Sequence, residues 1–170
     1  MLKRLGAFAC LLAVLLCGCA SQAPLPSGAP RLDLPLQLHV QREQAGQQLD
    51  WLLVIQQDGD VLRWSLLDPL GRPLARQRLA QARWQAEGLL PPNPEARELF
   101  AALLFALTPA ADLAQAYAGQ DWHAEEGRRS LDQGARRWTV AYRQALRFDL
   151  NLKDGLRYRI APLAPSQDSP

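Results

Sequence analysis

The sequence predicts a mainly β protein with an α-helical lid: a strongly curved antiparallel sheet, apolar on its concave face, with central helices covering or plugging that face. Three observations predict it. Residues 36–86 and 138–160 alternate apolar and polar side chains with period two, a segment between them carries a helical pattern, and turn dipeptides fall at the breaks. Clean alternation with polar residues outside argues against a sheet buried on both faces.

Leu36, Leu38 and Val40 alternate with Gln37, His39 and Gln41 and give a first strand; Leu49, Trp51, Leu53 and Ile55 give a second. Asp58-Gly59 is a strong hairpin signal, and Leu62, Trp64 and Leu66 continue beyond it as a third. Asp68-Pro69-Leu70-Gly71 is a second turn, followed by a fourth strand around 74–79 and a fifth around 82–86. Leu89-Leu90-Pro91-Pro92 breaks the pattern. Asn93 can then cap a helix whose first residue is Pro94 and whose apolar face is Leu99, Leu103, Phe105, Ala106 and Leu107. Pro109 ends it, and a shorter helix follows over 112–117, closed by Gly119. His123 and the pair Glu125-Glu126 are read as loop. The alternation resumes with Trp138, Val140 and Tyr142, then Leu146, Phe148, Leu150 and Leu152, and after Lys153-Asp154-Gly155 a final strand carries Leu156, Tyr158 and Ile160.

The opening of the chain has a different character. Lys3 and Arg4 precede an apolar run over 5–16 that is too short for a membrane span, which needs roughly twenty residues. Leu16-Cys17-Gly18-Cys19 is similar to the lipobox of bacterial lipoproteins. By that resemblance residues 1–18 are a signal peptide and Cys19 is the lipid-bearing first residue; Cys17 follows the bulky Leu16 and is the poorer candidate. An ordinary signal peptide without lipid is the competing reading. Ala20-Ser21 follows the cysteine, where Asp tends to retain lipoproteins in the inner membrane, so the resemblance implies the outer membrane, facing the periplasm. Residues 19–35, rich in Pro, Ser, Gly and Ala, read as a flexible tether, 36–161 as the domain, and 162–170 as a disordered tail.

Composition excludes several functions. Of 19 Lys and Arg residues against 17 Asp and Glu, two basic ones lie in the signal, so the remainder is formally neutral and gives no electrostatic support for a nucleic-acid partner. The third cysteine, Cys10, lies in the signal with Cys17, leaving the domain no disulfide and no thiolate site. Two histidines, His39 on a polar face and His123, offer no metal constellation, and no cofactor is implied. There is no Gly-x-Ser-x-Gly elbow or phosphate loop. Glu95 with Glu98 reads as helix-dipole compensation, so the protein is expected not to be an enzyme.

Three features in order, the Asp68-Pro69-Leu70-Gly71 turn, the central helical segment and Trp138-Thr139-Val140-Ala141-Tyr142, make residues 36–160 resemble the LolA/LolB superfamily of periplasmic lipoprotein carriers, an unclosed β-barrel with a helical lid. The region over 94–117 departs from true LolB and looks more like LolB-like lipoproteins of the DUF3261 type, found beside aryl-polyene and fatty-acid-type biosynthesis genes. The resemblance implies a monomer that binds an acylated molecule or lipoprotein in an apolar groove and delivers it to the membrane, receiving it from a LolA-like carrier. A half-open barrel would line that groove with Trp51, Leu53, Trp64, Leu66, Trp138, Val140, Phe148 and Leu150, which could equally fill it as a packed core. It also implies that Leu70, displayed by its turn, contacts the membrane. The other functional class left open is a structural or assembly lipoprotein with a filled core and no cargo.

Overall fold

The computed structural model describes residues 23–28 and 30–163. The signal segment, Cys17, Cys19 and the last residues of the expected tail lie outside them. Ten strands form one antiparallel sheet: β1 (Leu36–Gln44), β2 (Gln47–Asp58), β3 (Val61–Leu67), β4 (Pro73–Ala80), β5 (Arg83–Ala86), β6 (Asp121–Glu125), β7 (Arg128–Gln133), β8 (Arg136–Gln144), β9 (Arg147–Asn151) and β10 (Arg157–Pro162). Two helices, α1 (Pro94–Leu107) and α2 (Leu113–Ala116), lie between β5 and β6. The sheet order β5-β4-β3-β2-β1-β10-β9-β8-β7-β6 makes each half a hairpin meander, and β1 pairs with β10 at the centre. The sheet is unclosed, with β5 and β6 at its edges.

Alternation places one set of side chains on the concave face: Leu38 and Val40 from β1, Leu53 and Ile55 from β2, Leu62, Trp64 and Leu66 from β3, all 3 % exposed or less. The second half contributes Leu131, Trp138, Val140, Phe148, Leu150, Tyr158 and Ile160. The sheet curves because all of this surface packs on a single rod. Helix α1 touches Trp64 and Trp84 through Phe100 and Trp138 through Phe105, and every residue from Leu99 to Ala106 is buried. A helix apolar all round belongs inside a core, so α1 occupies the hollow of the sheet and does not merely cover it. It starts as expected: the Asn93 side chain accepts from Ala96 N at 3.0 Å, with Pro94 at the first position.

The structure corrects three expectations. Residues 121–133, read as loop around His123 and Glu125, form the hairpin β6–β7, turning at Gly127. The described part of the expected tether, residues 23–28 and 30–35, contains no strand or helix but is pinned to the domain. Ser27 N donates to Ala116 O at 2.7 Å, Gln120 Nε2 donates to Leu25 O at 2.8 Å, and Arg31 pairs with Asp112 at 3.2 Å. Pro24, Pro26 and Pro30 are buried. Composition alone reads such a segment as linker because its anchoring bonds come from residues about 80 positions away or more. At the other terminus, Pro162 belongs to β10 and Leu163 N donates to Gln37 O, so the expected tail begins later than 162.

Candidate functional site

Of the eight residues expected to line a groove, Leu53, Trp64, Leu66, Trp138, Val140, Phe148 and Leu150 are 1 % exposed or less, on the concave face around α1. Trp51 is only partly buried. It sits where α1 begins, tilted against Tyr158 with ring centroids 6.2 Å apart and the Arg42 guanidinium 6.0 Å from its ring. The groove these residues would form is filled by the helix.

Polar contacts fasten both ends of α1 to the sheet. At its start, Glu95 accepts from Arg42 and from the Tyr158 hydroxyl at 2.9 Å, and Glu98 accepts from Arg136 at 2.9 Å and from the Trp138 indole at 3.2 Å. Burial by itself would raise the Glu95 carboxyl, but the hydrogen bonds from Arg42 and Tyr158 and the Arg42 charge outweigh it and hold the group below its ordinary value. Burial and the Glu95 carboxylate push the Tyr158 hydroxyl up. At the other end, Arg129 from β7 donates to Thr108 O at 2.6 Å and to the carbonyls of Phe105 and Ala106, placing a cation where the helix dipole is negative. The Tyr142 hydroxyl donates to Ala106 O at 2.6 Å, and its ring lies 5.2 Å from the Arg129 guanidinium. Burial pushes that hydroxyl up to about 12. The expected reading of Glu95 and Glu98 as dipole compensation therefore misses their ion pairs. Arg129 and Tyr142 were invisible as latches because their partners are backbone carbonyls.

One buried polar group stands out against the apolar interior. Gln77, 4 % exposed, takes a buried position on β4 opposite Trp64, and its amide oxygen has no hydrogen-bond partner among the described residues; nor do the indole nitrogens of Trp64 and Trp84. Among the described residues no group of three or more His, Cys, Asp or Glu could hold a metal ion, and no single helix is long and apolar enough to cross a membrane. His39 pairs with Asp50 and His123 lies beside Asp121, both at the surface.

The clearest external feature is at the end where α1 begins. Leu70 is 79 % exposed at the tip of the β3–β4 turn. Asp68 fixes that turn: its carboxylate accepts from Leu70 N and Arg72 N, both at 2.9 Å, and from Arg72 Nε at 2.6 Å, while its carbonyl accepts from Gly71 N. These bonds, the backbone one from Arg72 first, hold the Asp68 carboxyl below its ordinary value. Gly71 has φ +78°, which a side chain would strain. Leu89, which sequence reasoning passed over as part of a strand break, is fully exposed. Glu87 N bonds to Arg76 O and the Asn93 side chain to Leu74 O, so the loop between them bows out along the start of β4, beside the Leu70 turn.

Residues 36–161, from the first residue of β1 into β10, match the model of a family described as "Protein of unknown function (DUF3261)". The chain belongs to the DUF3261 family. The match takes in the sheet up to Ala161 in β10 and both α1 and α2, so Leu70, Leu89 and both latches of α1 lie within the DUF3261 region. No curated protein matches the chain.

Proposed function

We propose that this DUF3261 protein is an outer-membrane lipoprotein of LolA/LolB-like architecture. Its acylated Cys19 holds it on the periplasmic side, and it passes an acylated or otherwise hydrophobic molecule to the membrane without covalent chemistry. The observation that carries this reading is the display of Leu70 and Leu89 together at one end of the molecule. Leu70 on its fixed turn and Leu89 on the neighbouring loop bury little surface within the protein and gain free energy by entering an apolar phase, at roughly 25 cal/mol per Å². The N-terminal segment leaves from the same end. Gln120, which holds Leu25, directly precedes β6, whose first residue pairs with Asp132 near the β7–β8 turn, and Cys19 lies four residues before Ala23. An anchored lipid and the two leucines would then meet one bilayer surface.

The filled interior constrains how cargo is held. Leu99, Phe100, Leu103, Leu104 and Phe105 are fully buried on α1. At ~1.5–3 kcal/mol for each buried side chain, exposing all five costs on the order of 10 kcal/mol, comparable to the whole stability of a domain. An acyl chain must therefore replace contacts of α1 as it enters, or bind beside the helix. The same packing favours a second reading, an assembly lipoprotein with a filled core and no cargo. Native mass spectrometry of the chain from Ala20 onward, expressed in a host that makes its acylated products, separates the two. Co-purifying acyl species are expected; a domain that stays empty with those products present overturns the carrier reading.

A further inference from the structure

At the end opposite Leu70, where α1 finishes, the interior opens. A cavity of about 600 Å³ lies between the last turn of the helix, the start of β1, the β6–β7 and β8–β9 turns and the N-terminal segment. That volume falls in the ~300–1,000 Å³ range of small-molecule sites. Its apolar wall is Leu32, Leu36, Leu107, Tyr142, Ala145 and Leu146, and all four leucines and the tyrosine are only partly buried. The protein thus leaves a patch of apolar surface beside the core uncovered at a concave place.

The rim is polar and mixed: Arg31, Arg128 and Arg129 against Asp33 and Glu125. Arg31 is tied to Asp112, and Arg129 to the carbonyls that end α1. The exposed Arg128 side chain has no hydrogen bond or ion pair among the described residues. An apolar pocket with an uncommitted guanidinium at its mouth suits a ligand with a hydrocarbon tail and an anionic head. We infer that this cavity is the loading site for a single-chain amphiphile bearing a carboxylate or phosphate. Its tail lies against Leu36, Leu107 and Leu146 and its head at Arg128. The assignment rests on the carrier reading for its purpose and adds the place and the chemical class of the cargo. In the proposed orientation the cavity faces away from the membrane, toward an incoming molecule.

The test uses the full chain in its own membrane fraction, with a palmitate carrying a photoactivatable diazirine and mapping of the labelled peptides. Labelling on peptides containing Leu32, Leu107, Tyr142 or Leu146, displaced by excess unlabelled palmitate, is expected. Arg128→Glu should weaken displacement by palmitate about tenfold, the scale of one lost charge-assisted hydrogen bond, and leave displacement by hexadecanol unchanged. Leu146→Glu, in an exposed turn, should abolish labelling while circular dichroism stays that of the parent. Displaceable labelling confined to Trp64, Leu66 and Phe148 would overturn this site and keep the carrier reading. Displaceable labelling nowhere on the chain would overturn both. Labelling at the cavity only after removal of residues 164–170 would make the tail its occupant and overturn the assignment.

Discussion

Glu95 joins sequence, packing and pH response at a single residue. It sits in the first turn of α1, where a carboxylate complements the helix dipole, and it receives Arg42 and Tyr158 from two neighbouring strands. Its carboxyl is held below the ordinary 4.5, so the stabilisation it brings is present above that pH and is lost as pH falls through the lower, folded value. Denaturant titrations at pH 7 and pH 3 should show a loss of stability on acidification that is smaller in Glu95→Gln. An equal loss in both proteins would show that Glu95 does not carry it. Gln77 predicts the opposite sign. Its buried amide oxygen lacks a partner among the described residues, and a methionine of similar shape removes that desolvation penalty. Gln77→Met should raise stability by about 1 kcal/mol in chemical denaturation, and a clear destabilisation would mean that the amide is satisfied in solution.

Helix α1 is the element on which the rest of the fold depends, and its centre is the place to weaken it. Leu103 has no exposure, so Leu103→Ala should cost about 2–5 kcal/mol by urea unfolding; less than 1 kcal/mol would mean that the helix leaves the hollow easily. The helix was legible in sequence because Asn93 and Pro94 mark its start and Pro109 its stop. The strands β1 to β3 and β8 to β10 were legible because each turns two or more large apolar residues inward at every second position, and β4 and β5 because the Asp68-Pro69-Leu70-Gly71 turn and the proline-rich break at 89–92 bound them. Strands β6 and β7 were not. Each carries one large apolar side chain, Trp122 or Leu131, and the inward position next to Leu131 is taken by Arg129, whose partners are carbonyls at the end of α1. Only Glu126-Gly127, with φ +70° at the glycine, signals that hairpin locally. The eight inward residues could be named from periodicity, but whether they enclose space depends on how deeply α1 lies, and that is set by contacts between distant segments.

On the scale of the whole molecule the two ends differ in chemistry, and that difference is testable. Leu70→Glu replaces an exposed leucine on a hydrogen-bonded turn, so thermal unfolding should be unchanged while delivery of cargo fails; Cys19→Ala should release the protein from the membrane fraction and lower delivery likewise. Delivery as efficient as the parent's by either variant would contradict the proposed membrane contact. The pairing of β1 with β10 carries a different consequence, one of timing. Val40 lies opposite Ile160, so the middle of the sheet joins the first strand made to the last. The β1–β5 meander can form from local hairpins during synthesis, but half of its central strand's hydrogen bonds await a partner some 120 residues later. Contacts this distant in sequence are slow to close because the intervening chain must first be ordered. Until β10 arrives, β1 is an edge strand with an apolar face, and the nascent protein is then most exposed to mispairing with another chain.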